Sequence, residues 1–132
     1  MSQEIFWLAA TSLMTSVFWV PYVLNRMAVR GLTRTLANPQ PDDAPLADWA
    51  ERNIRAHRNA IENLVIFAPL ALSVHVLGIG DALTATACLV YFLARLAHFL
   101  VYTAGIPVLR TLSFAVGMAV QVVLALRILE IL

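Results

Sequence analysis

With 132 residues, 61% of them hydrophobic and only 13% charged, and a mean hydropathy of +0.78, the chain lies far from the usage of soluble domains. Apolar stretches occupy nearly all of it, which leaves no room for a separate soluble domain. The net charge of +1 identifies no partner, because all nine basic residues are arginines and all but Arg127 are segregated toward one side of those stretches, and no nucleic acid is expected.

Four stretches reach the roughly 20 residues that a helix needs to cross the hydrocarbon core: about 5–24, 60–79, 82–101 and 106–126. The first carries Glu4, has no basic residue ahead of it and is too long for a signal peptide, so it is expected to stay attached. Arg26, Arg30 and Arg34 follow it. Residues 31–50, "GLTRTLANPQPDDAPLADWA", contain three prolines, a glycine and several Asp/Asn, the chemistry of an irregular loop. Arg52, Arg55 and Arg58 precede or open the second span, so six arginines place this loop on the cytoplasmic side by the positive-inside rule and both termini on the other. "GIGD" (78–81) and "TAGIP" (103–107) are tight connections that force antiparallel neighbours. The expected fold is an all-α, up-down-up-down four-helix membrane bundle, a single membrane domain over residues 1–132. Pro21 and Pro69 fall within spans, where each is expected to kink its helix. The apolar runs are continuous and about twice the length of a barrel strand, which argues against a membrane β-barrel. Cys88, the single cysteine, excludes an intrachain disulfide and a multi-cysteine metal site and reads as packing.

Polar residues recur inside these apolar segments at helical spacing. Arg52, Arg55, Arg58 or Asn59, and Glu62 are three or four apart and form one stripe on the second span. Tyr91, Arg95, His98 and Tyr102 form another on the third, and Arg110 lies just past Pro107 on the fourth. The topology brings the start of span two, the end of span three and the start of span four to one membrane face. Arg95 then lies ~9 Å inside the end of its span, where a charge costs ~2.5–3.5 kcal/mol on insertion scales. Glu62 can neutralise one arginine, but Arg55, Arg58, Arg95 and Arg110 outnumber it, and a surplus of buried positive charge calls for an anionic ligand. Snorkelling to lipid phosphates is the simpler reading for Arg26, Arg34 or Arg52 taken singly. His75 reads as a packed or interfacial histidine, Ser113 and Gly117 as a small pair for close helix packing, and Arg127 with Glu130 as a surface ion pair.

The chain has no Ser-His-Asp set, no cysteine near the stripes, no metal-ligand cluster and no glycine-rich phosphate loop. The chain supplies no obvious nucleophile of its own, and a ligand could bring one. A thiol carrying carboxylates would dock on the arginines, and the same field would favour its thiolate.

"RAHRNAIEN" (55–63), preceded by "ER" at 51–52, together with "ANP" (37–39), "RLAHFLVY" (95–102), Pro107 and Arg110, resembles the membrane-associated proteins in eicosanoid and glutathione metabolism, the MAPEG family. The likeness is to the microsomal prostaglandin E synthase and glutathione transferase branch and covers roughly residues 25–115. It implies a homotrimer with glutathione bound between subunits near the cytoplasmic side. In that arrangement Arg55, His57, Arg58, Asn59 and Glu62 would hold the tripeptide's charged ends, with Arg95, His98 and Tyr102 from the third span and Arg30 reaching in from the adjacent subunit. Arg110 would stand near the sulfur and stabilise the thiolate as a fixed charge. Phe114 stands where the synthase branch has a tyrosine, and the spacing from His98 to Arg110 is one residue shorter, so isomerase chemistry on an endoperoxide is not implied.

The main expectation is a glutathione-dependent transferase or peroxidase that conjugates or reduces an apolar electrophile, such as a lipid hydroperoxide delivered from the membrane lipids. The alternative is a non-catalytic lipid-binding or scaffold protein of the same family. A small multidrug exporter ranks last, because it needs an uncompensated acid at mid-membrane and Glu62 sits among arginines near one face.

Overall fold

Where the first apolar segment breaks is set by Pro21. In the computed structural model, which describes residues 1–132, helix α1 (Gln3–Val17) stops four residues before that proline, at the position whose carbonyl the ring would strike. Helix α2 (Val20–Leu36) restarts with Pro21 in its first turn, where a missing N–H costs nothing. The two together form the first of four helical segments long and apolar enough to cross a membrane, Gln3–Leu36. The others are α3 (Asp48–Val76), α4 (Ala82–Ala104) and α5 (Pro107–Ile128). Pro69 does not interrupt α3.

The fold is therefore the expected all-helical membrane four-helix bundle, with corrected boundaries. The expected loop at 31–50 shrinks to the stretch between Leu36 and Asp48, because helix continues on both sides of it. Gly31 breaks α2 with φ 79° and ψ 165°, a conformation open to glycine, before one further turn completes the element. The second helix begins a dozen residues earlier than the apolar run at 60–79, since Asp48 and Glu51 in its first turn suit a helix N-terminus. The connections at 78–81 and 105–106 are as short as expected.

Two apolar clusters fill the bundle. One joins Phe67, Ala71 and Val74 of α3 to Ala87, Cys88 and Tyr91 of α4 and to Val120 and Leu124 of α5, with Phe67 stacked on Tyr91 at 3.7 Å between centroids. The other joins Phe18 to Ala56, Ala60 and Phe99, with Phe18 stacked on Phe99 at 3.7 Å. Lipid is as apolar as these side chains, so their contribution is close packing and dispersion more than exclusion of water. A stacked aromatic pair adds about 0.5–1.5 kcal/mol. Along α3 and α4 the polar residues Asn59, Asn63, Arg95 and His98 lie between the two clusters.

At the α3–α4 connection, Asp81 caps α4 through a reciprocal box with Thr84 and pairs with Arg127 of α5 at 2.8 Å. The expected pairing of Arg127 with Glu130 is thus replaced, because α5 lays Arg127 against the capping loop. Glu4, only 4% exposed, accepts a bond from Thr84 Oγ1 at 2.6 Å. Its carboxylate fits only because Gly80 has no side chain: a Cβ there would lie 2.9 Å from Glu4 Oε1.

Candidate functional site

Helix α4 extends past the expected end at Val101 to Ala104, which puts Arg95 nine residues, roughly 14 Å, inside its end. Arg95 is 1% exposed. Its Nη2 donates to Asn59 Oδ1 of α3 at 2.6 Å and lies 3.3 Å from His98 Nδ1, one turn further along α4. Its Nε and Nη1 have no partner within the chain. The aliphatic part of Arg95 rests on α5 at Gly117, where an added Cβ would lie 3.5 Å from Arg95 Cδ.

Beside Asn59 and His98, the two partners of Arg95, opens a cleft of about 190 Å³ that they line with Tyr102, Arg110, Thr111 and Phe114. Pro107 starts α5 and sets Arg110 on its first turn, where the guanidinium lies over the Tyr102 ring at 5.0 Å. His98 packs edge-on against Tyr102 at 5.5 Å and near Phe114 at 6.2 Å. Neither Arg95 nor Arg110 has a carboxylate within 4 Å; the only ion pairs in the chain are those of Arg30, Arg34 and Arg127. The cleft is accordingly a concavity with two cations behind and beside it and no anion of its own.

Of the residues singled out in the sequence, Asn59, Arg95, His98, Tyr102 and Arg110 come together here. The stripe on α3 divides. Arg55 points out and is exposed, and His57, Arg58 and Glu62 line a second cleft of about 260 Å³ with Tyr22, Ile54 and Ile61. Tyr22 Oη and His57 Nδ1 are 3.0 Å apart there. Residues 58 and 59 are about 100° apart around a helix, so they cannot share one face. Glu62 neutralises no arginine within the chain, contrary to expectation, because it lies on this outer face. Arg30 is engaged elsewhere: its Nε donates to Ala44 O at 2.8 Å and its Nη1 lies 3.6 Å from Asp43. Arg34 bonds the same Asp43 and reaches Asp42 at 3.3 Å, so two arginines of α2 clasp the loop. A hydrogen bond from the Gln40 amide, with Arg34 and Arg30 beside it, holds the Asp43 carboxyl below its usual range despite some desolvation.

Several buried polar positions escaped the sequence reading. Asn63 is a buried amide bonded to Asn59, Gln121 is bonded to Asn63, and Asn53 donates to Thr103 Oγ1 at 2.9 Å. Arg52 does not snorkel: its Nε donates to Thr103 O at 3.0 Å, and its guanidinium lies against Gly105, clasping the end of α4. The signal for the amides was present, since Asn, Gln and Arg inside an apolar helix need a partner there.

Taken with the four long apolar helices, this architecture defines an integral, multi-pass membrane protein. The sequence profile of the MAPEG family matches residues 5–129, nearly the whole chain. The protein belongs to the MAPEG family, which places it broadly among membrane proteins of glutathione-related function. No curated protein matches it in sequence.

Proposed function

We propose that the protein binds glutathione in the Arg95–Arg110 cleft, ionises its thiol, and passes the thiolate to an apolar electrophile or lipid hydroperoxide arriving from the bilayer. The observation that carries this is the pair of guanidinium groups without a carboxylate, one of them 1% exposed with Nε and Nη1 unpartnered. A buried cation left so is costly unless an anion completes it, and glutathione supplies two carboxylates and a thiol. Arg110, held over Tyr102 at the mouth of the cleft, is the group that stabilises thiolate; its guanidinium stays protonated and acts as a fixed charge. Asn59, Arg95, His98 and Tyr102 bind and orient.

The reading includes a second subunit. A cleft of about 190 Å³ is below the ~300–1,000 Å³ of most small-molecule sites, and Arg55, Arg58 and Glu62 face outward from α3. A neighbouring copy seated between these surfaces, in a homotrimer, would enlarge the site and bring His57, Arg58 and Glu62 of one subunit toward the ligand of another. Arg30 contributes in the same arrangement once Asp43 yields it. We place the arginine-rich end on the cytoplasmic side, where glutathione is supplied, and both termini opposite.

The test is the ultraviolet band of thiolate on adding glutathione to purified protein. It should rise in the wild type at neutral pH and not in Arg110→Ala, while calorimetry still registers binding in the variant. A wild type that binds glutathione without ionising it, and turns over neither a chloro-nitrobenzene nor cumene hydroperoxide, sinks the enzyme reading and leaves a binding protein.

A further inference from the structure

Behind the cleft, a line of hydrogen bonds through side-chain amides and the backbone carbonyls beside them crosses the bundle from α5 through α3 to α4. Gln121 Nε2 donates to the Asn63 carbonyl at 3.2 Å and lies 3.5 Å from Asn63 Oδ1. Asn63 Nδ2 donates in turn to Asn59 O at 2.9 Å and to Asn59 Oδ1 at 3.2 Å. Asn59 Oδ1 is the atom that accepts from Arg95 Nη2. Gln121 and Asn63 are 7% and 8% exposed, and neither lines the cleft.

The direction of this line is fixed at both ends. A backbone carbonyl can only accept, so Gln121 must present its NH2 group to Asn63. A guanidinium can only donate, so Asn59 must present its oxygen to Arg95. Asn63, donating to Asn59 Oδ1 as well, favours that same orientation of the Asn59 amide. Every hydrogen bond that the Asn59 side chain makes then uses its oxygen, and its NH2 group is left as a donor on the cleft wall.

We infer that Gln121 and Asn63 are positioning residues: they set which way the Asn59 amide points and, through it, where the Arg95 guanidinium rests. The role assigned to the cleft rests on the glutathione reading above, whereas the orientation is a property of the protein alone. A merely structural amide pair would join α3 to α5 and leave Arg95 indifferent to its loss. A relay makes Arg95 respond to a change on α5, although Arg95 has no bond to Gln121.

The experiment follows the Arg95 guanidinium and Asn59 amide signals of ¹⁵N-labelled protein in micelles, with glutathione calorimetry on the same samples. The variants are Gln121→Leu, Asn63→Ala and their combination. Each single change should shift or broaden both sets of signals and raise the glutathione dissociation constant about 3- to 10-fold, the loss of roughly one hydrogen bond. The thiolate band at saturation, which belongs to Arg110, should not move. The double variant should bind about as well as either single one, since links of one line do not add. Folded variants with unmoved Arg95 and Asn59 signals overturn the inference whether or not glutathione binds, and so do fully additive losses. Coupled signals in a wild type that binds no glutathione would uphold the positioning and overturn the function proposed above. Should Gln121→Leu fail to assemble, Gln121→Asn, which keeps the amide but shortens its reach, gives the same readings.

Discussion

Where α3 turns into α4, Glu4 is buried but bonded to Thr84, and Asp81 holds Arg127 at 2.8 Å. Where α4 turns into α5, Arg95 is buried more completely still and meets no carboxylate at all, and Arg110 beside it meets only the face of Tyr102. The two ends are built from the same helices a few turns apart. At the first end charge closes the structure: Glu4, Asp81 and Arg127 each have a partner from another element, and the result is a fastened corner. At the second end the partners of Arg95 are an amide and an imidazole, Asn59 and His98, with no carboxylate among them, so its charge remains available. Both arrangements bury ions in a bilayer, and only the unpaired one has something to gain from a ligand.

Removing the available charge should have the largest effect. Arg110→Ala is expected to lower turnover of an electrophile about 10²- to 10³-fold, the usual loss when one preorganised charge at a reacting centre is deleted, as measured by steady-state conjugation or peroxide reduction. Arg95→Met should weaken glutathione at least about 30-fold in calorimetry, since truncating a buried hydrogen-bonded charge costs 2 kcal/mol or more. The same substitution should leave the empty protein as stable or raise its stability by about 1–4 kcal/mol, because a cation without a counter-ion is replaced by an apolar chain of similar volume. Lower thermal stability in Arg95→Met would mean that this guanidinium is a structural strut and would erase the contrast between the ends.

At the fastened end the effects reverse. Thr84→Val removes the donor that Glu4 depends on and should cost about 1–3 kcal/mol of stability, read as a lower melting temperature in detergent, with glutathione affinity unchanged. Acidification should have the smallest effect. The Thr84 amide and Arg127 hold the Asp81 carboxyl below its ordinary value of 3.8, against some desolvation, and Asp43 in the loop clasp is held down likewise. A carboxyl depressed on folding contributes its stability above the unfolded value and loses it as pH falls through the folded one. These two groups should therefore leave the melting temperature level between about pH 5 and 7 and let it sag only below about pH 4. Asp43→Asn should flatten part of that acid limb.

Much of this was readable in the residues. Length and hydropathy give four membrane helices, and helical spacing on the third span gives a face with Arg95, His98 and Tyr102. Two things resisted. Helix boundaries at the arginine end run through charged sequence that carries no apolar signal, so α3 starts at Asp48 well before its greasy part. Whether Arg58 or Asn59 faces Arg95 is a matter of about 100° of rotation, and only the packing of α3 between its neighbours decides it. Glu4 is the converse case: nothing around it in the first span marks this acid as buried, and it is Gly80 and Thr84, distant in sequence, that make room for it.

That bond between Glu4 and Thr84 joins residues 80 positions apart, and the interval matters during synthesis. The first span leaves the ribosome long before its anchor on α4 exists. Its carboxylate must wait at the membrane edge, still hydrated, until the third span has been threaded, and contacts of such long sequence separation are slow to form. The Glu4 end of the segment made earliest is consequently among the last parts to settle. A pause in translation between the second and third spans would hold the nascent chain with its opening helix resting on α3 alone, its Glu4 end unfastened.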